Sequence, residues 1–553
     1  MLTVDKKKEI NDLKKNLSFK KEMINLISII KQKKITIKQM MKEKQKISKR
    51  YDIDFIIPNS LILEYNMDND VFVNSFLLKK KIRTLSGVCV VAVMVKPHKC
   101  PGQCIYCPSN TGVAPKSYTG LEPATRRGIM FNFDSYLQAK NRLEQLKAIG
   151  HNTSKTEIII MGGTFPSMPK KYQENFVKGI FDALNERKSK NLDEAKKLNK
   201  TAKQRCVGLT IETRPDYCNE KHIKQMLYLG ATRVEVGVQI LNDKIYIKTK
   251  RGHKIEDVAR ATELLKNSGL KIVYHIMPGL GTEKEDLEAF KLLFNDERFF
   301  PDMLKIYPVL IIKGTELYDL WKDGKYKPLD ENKAVKLICK LKQEVPEFVR
   351  IMRIQRDISK EKIIGGVQAG NLRELVENEM EEQKIRCNCI RCREVGHRIY
   401  KNKDYKLYNK SYLKENTSKN KYDSKYIKIN TIKYKSSKGE EFFVSLVDKN
   451  NILYGYLRLR ILNKNCDIIT DEITPESAII RELKVFGTST PLGEEYGFSF
   501  QHRGFGKLLI EEAVKITKEK KKEKLLVMSA IGTQEYYKQF GFVEDGFYMS
   551  MRI

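Results

Sequence analysis

From Gly87 onward the chain falls into a rhythm that few folds accept. Short β-branched runs (GVCVVAVMV, TEIIIMGG, CVGLTIETR, TRVEVGVQI, LKIVYHIMPG, MLKIYPVLII) alternate with amphipathic stretches such as SYLQAKNRLEQLKAIG, NEKHIKQMLYLG and KIEDVARATELLKNSG. Strands alternating with helices predict βα units and a parallel sheet. About six such units, with a further strand at FVRIMRI, suit a full or partial β/α barrel, in which chemistry gathers at the C-terminal ends of the strands. Ahead of this region, residues 1–75 read as a small, lysine-rich helical region (LISIIKQKKITIKQMMKEKQKISKRY). The rhythm breaks near residue 385, and a Lys/Tyr/Asn-rich stretch follows that reads as exposed loop. A second α/β unit then runs to the end: EEFFVSLVD, ILYGYLRLRI, AIIRELKVFG, the helix GFGKLLIEEAVKITKEK, KLLVMSA, TQEYYKQFG and FYMSMRI. The expected boundaries are 1–75, 76–380 (the barrel), 381–438 (a linker) and 439–553.

Eleven cysteines are present, and three of them, Cys100, Cys104 and Cys107, stand in the C-x-x-x-C-x-x-C segment KPHKCPGQCIYCPSN just after the first predicted strand. The N-terminus, MLTVDKKKEINDLKKN, is too charged for a secretory signal, and no apolar run approaches the roughly 18 residues of a membrane span. The chain therefore reads as cytosolic, where clustered cysteines are metal ligands or catalytic groups before they are disulfides. A structural zinc wants four ligands in a closed tetrahedron. A 4Fe-4S cluster on three thiolates leaves one iron open to chelate S-adenosylmethionine, whose reductive cleavage yields a 5′-deoxyadenosyl radical. A zinc knuckle completed by His98, or simply buried thiols, are the competing readings. Gly162, Gly163 and Thr164, ending the next strand, favour the cluster: radical SAM enzymes combine such a triad with a glycine turn whose backbone approaches the cofactor.

A second signature lies in FSFQHRGFGKLLIEEAV. Gln501, Arg503, Gly504 and Gly506 form a Q-x-x-G-x-G loop opening a helix, where backbone N–H groups and the helix N-terminus suit a pyrophosphate. With the strand RELKVFG before it and EYYKQFGF after it, this order resembles GNAT acetyltransferases and implies acetyl-CoA. Lys plus Arg number 103 against 69 acidic residues, a formal charge of +34. Such a surplus favours a polyanion, nucleic acid above all, although a lysine-rich proteome yields the same count.

Radical SAM and GNAT signatures in one chain resemble the catalytic subunit of Elongator, the tRNA carboxymethyluridine synthase family. The motifs are RTLSGVCVVAVMVKPHKCPGQCIYCPSN, SYTGLEPATRR, IIIMGGTFPSMP, IETRPDYC, RVEVGVQ, GNLREL, REVGHR, IIRELKVFG, FQHRGFG and GTQEYYKQFGF, across roughly residues 75–553. Some relatives carry a longer insert between the first two cysteines. The resemblance implies a radical SAM partial barrel joined to a GNAT α/β domain, with the helical N-terminal region binding tRNA. It implies a reaction at the wobble uridine, in the anticodon stem-loop, that yields carboxymethyluridine from acetyl-CoA. Cys100, Cys104 and Cys107 would hold the cluster, which needs an electron donor. Lys155, Glu482, Leu483, Lys484, Val485, Phe505, Gly506, Lys507 and Tyr537 match acetyl-CoA positions, with Tyr537 near the thioester. Cys387, Cys389 and Cys392 (C-x-C-x-x-C) would hold a structural zinc, with His397 a candidate fourth ligand; a second redox or cluster site is the other reading. A homodimer or further subunits stay open. A lysine acetyltransferase with the barrel as scaffold is the rival function, and a non-catalytic RNA-binding module would need no ordered triad. Cys89, Cys206, Cys218, Cys339 and Cys466 read as buried or incidental thiols.

Overall fold

The computed structural model describes residues 4–32, 34–68, 70–78, 84–108, 113–401, 427–487 and 504–553. It divides into two compact units, Met1–Thr84 with Asn141–Thr153, and Leu85–Lys140 with Ser154–Ile553.

The first unit is helical, as its patterning predicts. Phe19, Met23, Leu26, Ile27 and Ile30 fall on one stripe of the helix Leu17–Lys31 and are buried. Asn16 caps that helix through the Phe19 N–H, and a Thr36/Gln39 capping box starts Ile37–Arg50. Lys34, Lys38 and Lys42 are exposed, Lys31 pairs with Asp68 at 2.5 Å, and Lys33 lies outside the described residues.

The second unit holds two seven-stranded sheets. The first is a parallel, curled partial barrel ordered β1 (Cys89–Met94), β2 (Lys155–Met161), β3 (Arg205–Thr213), β4 (Arg233–Gln239), β5 (Lys271–Ile276), β6 (Met303–Ile306) and β8 (Arg350–Ile354). The short strands β7 (Ile311–Ile312) and β9 (Ile363–Gly365) pair with each other. Val234, Val236, Ile272 and Tyr274 are buried, and Tyr274 hydrogen-bonds Thr262 of the covering helix Ile255–Asn267. Alternation along a strand therefore turns Glu235 and His275 to the inner face.

The second sheet is mixed, ordered β10 (Ile427–Ser436), β11 (Gly439–Asp448), β12 (Leu453–Ile461), β13 (Ser477–Val485), β14 (Lys524–Val527), β16 (Tyr548–Arg552) and β15 (Val543–Asp545). Its neighbours are antiparallel except β13 and β14, which run parallel and pair only from Ser477–Lys524 to Ile480–Val527. Arg481–Val485 thus extends beyond the end of β14.

The two sheets pack through buried charge. Arg481 of β13 reaches the Asp302 carboxylate at 2.9 and 2.5 Å, the Leu270 carbonyl at 2.9 Å and Glu441 of β11 at 3.2 Å. Arg458 donates to the Phe348 carbonyl at 2.7 Å, and Arg460 donates to Asn267 at 2.9 Å and to Glu441 at 2.9 Å. All three guanidiniums are buried. Burial works against charge at Asp302, but Arg481 and Arg458 outweigh it and hold this carboxyl well below its usual range.

Candidate active site

The cysteine segment sits beyond the C-terminal end of β1, beside the turn that ends β2. The Cys100 sulfur lies 3.8 Å from the Thr164 hydroxyl, so the structure brings the triad and the glycine turn together. Gly162 and Gly163 have φ of 135° and 89°, and a Cβ on Gly162 would lie 2.3 Å from Val95. No other residue type accepts that conformation at such close approach.

Cys104 is buried, with Arg251 Nη1 at 3.2 Å from its sulfur. A hydrogen bond from Cys107 and the nearby Arg251 and Arg214 guanidiniums hold the Cys104 thiol well below its ordinary range, against the opposing effect of burial. Cys107 is pushed up by its bond to Cys104 and by burial, and its sulfur lies 3.2 Å from Ser117 Oγ. Soft thiolates beside fixed cations are the donor set that an iron–sulfur cluster takes.

Beneath this loop, the inner face of the barrel carries a polar group that the sequence reading missed. Glu212 Oε2 accepts from the Tyr118 hydroxyl at 2.9 Å and from the Gly162 N–H at 3.3 Å. Glu235 Oε2 meets His275 Nε2 at 2.8 Å and also Lys305. One ligand atom each from Glu212, Glu235 and His275 lie within 4.8 Å of one another. The strand register sets Glu212 beside Glu235 and His275 beside Lys305.

Lys155 stands at the other end of the barrel, as the first residue of β2. At about 3.3 Å per residue it is about 20 Å from the glycine turn. Burial alone pushes its ammonium down to about 8. Near this end Gly532, just beyond β14, approaches β3 so closely that a Cβ would lie 2.7 Å from the Cys206 carbonyl. Burial would raise Glu157 of β2, but Arg233 and then Lys484 of β13 hold it down to about 2. Glu482 is buried and accepts from Arg458 Nε at 3.0 Å.

Gly504 (φ 79°) opens the helix Phe505–Glu519, whose first residues are Phe505, Gly506 and Lys507, while Gln501 and Arg503 lie outside the described residues. A Cβ on Gly506 would meet the Tyr536 hydroxyl at 2.2 Å and Leu483 of β13 at 4.0 Å. The strand, the helix start and the tyrosine helix therefore converge. Tyr536 is the ring beside Gly506, whereas Tyr537 is 6% exposed and packs edge-on to Phe542. Burial raises both phenols, Tyr536 to about 12.

The sulfurs of Cys387, Cys389 and Cys392 lie within 4.8 Å of one another, which suits a single ion. Hydrogen bonds from Cys387 and Cys392 hold the Cys389 thiol well below its ordinary range despite burial. His397 is pushed down to about 4 by burial and by Arg391, and among the described residues its Nε2 is buried without a hydrogen-bond partner. Cys89, Cys206, Cys218, Cys339 and Cys466 are buried and in no disulfide among the described residues.

A curled parallel sheet with a three-thiol loop after its first strand defines a radical SAM enzyme. The Radical SAM superfamily model matches residues 94–293 and the Radical_SAM C-terminal domain model residues 301–382. Such a domain takes a 4Fe-4S cluster and S-adenosylmethionine. More narrowly, the chain belongs to the family of the tRNA uridine(34) acetyltransferases and Elongator complex protein 3. It is 49% identical to the tRNA uridine(34) acetyltransferase of Methanocaldococcus infernus over 90% of this chain and 91% of that one. It is 41% identical to Elongator complex protein 3 of Saccharomyces cerevisiae over 86% and 85% respectively. The solved structure of the archaeal Elp3 of M. infernus, with its N-terminal residues 1–46 deleted, matches with a TM-score of 0.72 at 45% identity, covering 85% of this chain and all of that one. Among the described residues no helix is long and apolar enough to cross a membrane.

Proposed function

We propose that the protein attaches a carboxymethyl branch to carbon 5 of the wobble uridine of tRNA, using acetyl-CoA as the carbon source. The observation that carries this reading is the pairing of a three-thiol barrel mouth with a strand that outruns its parallel partner and a glycine-opened helix in one packed unit. Carbon 5 of uracil is a poor nucleophile, so forming a carbon–carbon bond there calls for a radical. With the cluster on Cys100, Cys104 and Cys107, S-adenosylmethionine supplies a deoxyadenosyl radical able to take hydrogen from the acetyl methyl group.

The chain's own residues do the rest. Gly162, Gly163 and Thr164 present backbone close to the thiol loop. Glu482–Val485, Gln501, Gly504, Phe505, Gly506 and Lys507 cradle acetyl-CoA, with Lys155 contributing from the barrel and Tyr537 near the thioester. Cys387, Cys389 and Cys392 hold a zinc ion that pins the chain between the two sheets; their convergence fits one tetrahedral metal. The anticodon stem-loop binds through phosphate contacts to the lysine-rich helices and the barrel, and an external donor reduces the cluster. The test is mass spectrometry of tRNA nucleosides after anaerobic incubation with reductant, S-adenosylmethionine and acetyl-CoA. Carboxymethyluridine at the wobble position is expected. Unmodified tRNA together with efficient acetylation of a lysine peptide would turn the reading to protein acetylation.

A further inference from the structure

The replacement of hydrogen by carbon at carbon 5 has a step that radical addition leaves undone. Once the acetyl carbon has bonded to carbon 5, that carbon still carries its hydrogen and carbon 6 holds an unpaired electron. Restoring the ring double bond requires that the C5–H bond break, its proton leave to a base, and one electron leave to an acceptor.

We propose that His275 is the base for this proton, oriented by Glu235 and Lys305. The assignment rests on the wobble-uridine reading. Three observations carry it. First, Nε2 of His275 is fixed on Glu235 at 2.8 Å, which directs Nδ1 away from the carboxylate. An imidazole held this way by a carboxylate has its tautomer and ring plane set, as a general base requires. Second, the side chains of Glu235 and Lys305 are 0% and 8% exposed, whereas His275 keeps 16%. The imidazole is therefore the member of the trio able to meet a bound molecule. Third, Glu212, within 4.8 Å of the pair, is tied to the Gly162 N–H and to Tyr118, whose neighbour Ser117 lies 3.2 Å from the Cys107 sulfur, so the trio lies under the mouth where the radical forms.

A metal ion is the other occupant such a group invites, but the Lys305 ammonium already neutralises Glu235. The proton passes from carbon 5 to His275 Nδ1. The electron passes to a one-electron acceptor of the iron–sulfur class, and the pair left behind becomes the C5–C6 double bond.

The test uses the reconstituted full-length protein with tRNA carrying uridine or 5-deuterated uridine. His275→Gln is expected to cut carboxymethyluridine formation about 10²-fold, the low end for a lost general base. It should still form deoxyadenosine, which also reports that the barrel is folded. Deuterium at carbon 5 should slow product formation in the variant, and added imidazole should partly restore the reaction in His275→Ala. Unchanged product in the glutamine variant, simultaneous loss of deoxyadenosine, or no response to imidazole would overturn the assignment. Wild-type protein that makes deoxyadenosine yet leaves uridine unmodified would overturn the wobble-uridine reading itself.

Discussion

Cys104 shows how little is needed to prepare a thiol for iron: one neighbouring thiol to hydrogen-bond, one guanidinium on its sulfur and the charge of a second nearby. Replacing Cys100, Cys104 or Cys107 by Ala should abolish deoxyadenosine formation without unfolding the chain, as read by anaerobic product analysis beside circular dichroism. Lys155 has the opposite setting, since burial opposes its charge and brings it to about 8. Its ammonium is lost as pH rises through that value. Acetyl-CoA affinity should therefore weaken above about pH 8 in the wild type and stay flat in Lys155→Met, by calorimetry at several pH values. The cysteines and the glycine turn were legible because their meaning lies in local spacing. His275 and Glu235 were not: forty residues separate them, and only the order of strands in the sheet makes them neighbours.

At the scale of elements, β13 runs on past its last pair with β14 at Ile480, and the start of the helix Phe505–Glu519 comes against Leu483 on that extension. Gly506→Ala would push the Tyr536 hydroxyl aside, and we expect about tenfold weaker acetyl-CoA binding, or about 1.4 kcal/mol, with little loss of stability. Cys389→Ser or Cys392→Ser should release zinc while the iron content holds, by metal analysis of the purified variants. The strands and the long helix of this region were readable from their periodicity. The parallel pairing of β13 with β14 was not, because the partners are distant in sequence and their apolar runs fit either direction equally well. Adjacent tyrosines carry no sign in sequence of which ring turns where; the helix phase sets Tyr536 beside Gly506 and packs Tyr537 against Phe542.

For the molecule as a whole, a formal charge of +34 predicts that tRNA affinity falls steeply with salt, log K declining by about 0.7–0.9 per phosphate contact for each decade. Deleting residues 1–50 should flatten that slope, measured by filter binding between low and moderate salt. Lys34, Lys38 and Lys42 are placed to contribute more than Lys31, which Asp68 already engages. The boundary between the two sheets was expected from sequence as a change of rhythm, but its chemistry was invisible. Arg481 and Arg458 sit in strands that otherwise read as ordinary alternation, and Asp302 immediately precedes β6.

That shared charge has a consequence for how the gene can be arranged. Were the chain cut into two polypeptides after the barrel, one product would expose Asp302 without its arginines. The other would expose Arg458 and Arg481 with only Glu482 and Glu441 left to pair them. Stranding one member of a buried pair costs about 3–5 kcal/mol, and here several would be stranded at once. Each piece should precipitate or be degraded when made separately and be recovered when both are made together. An inherited split of this gene should therefore survive only where the two products are synthesised side by side, so the fusion is held in place by physics as well as by descent.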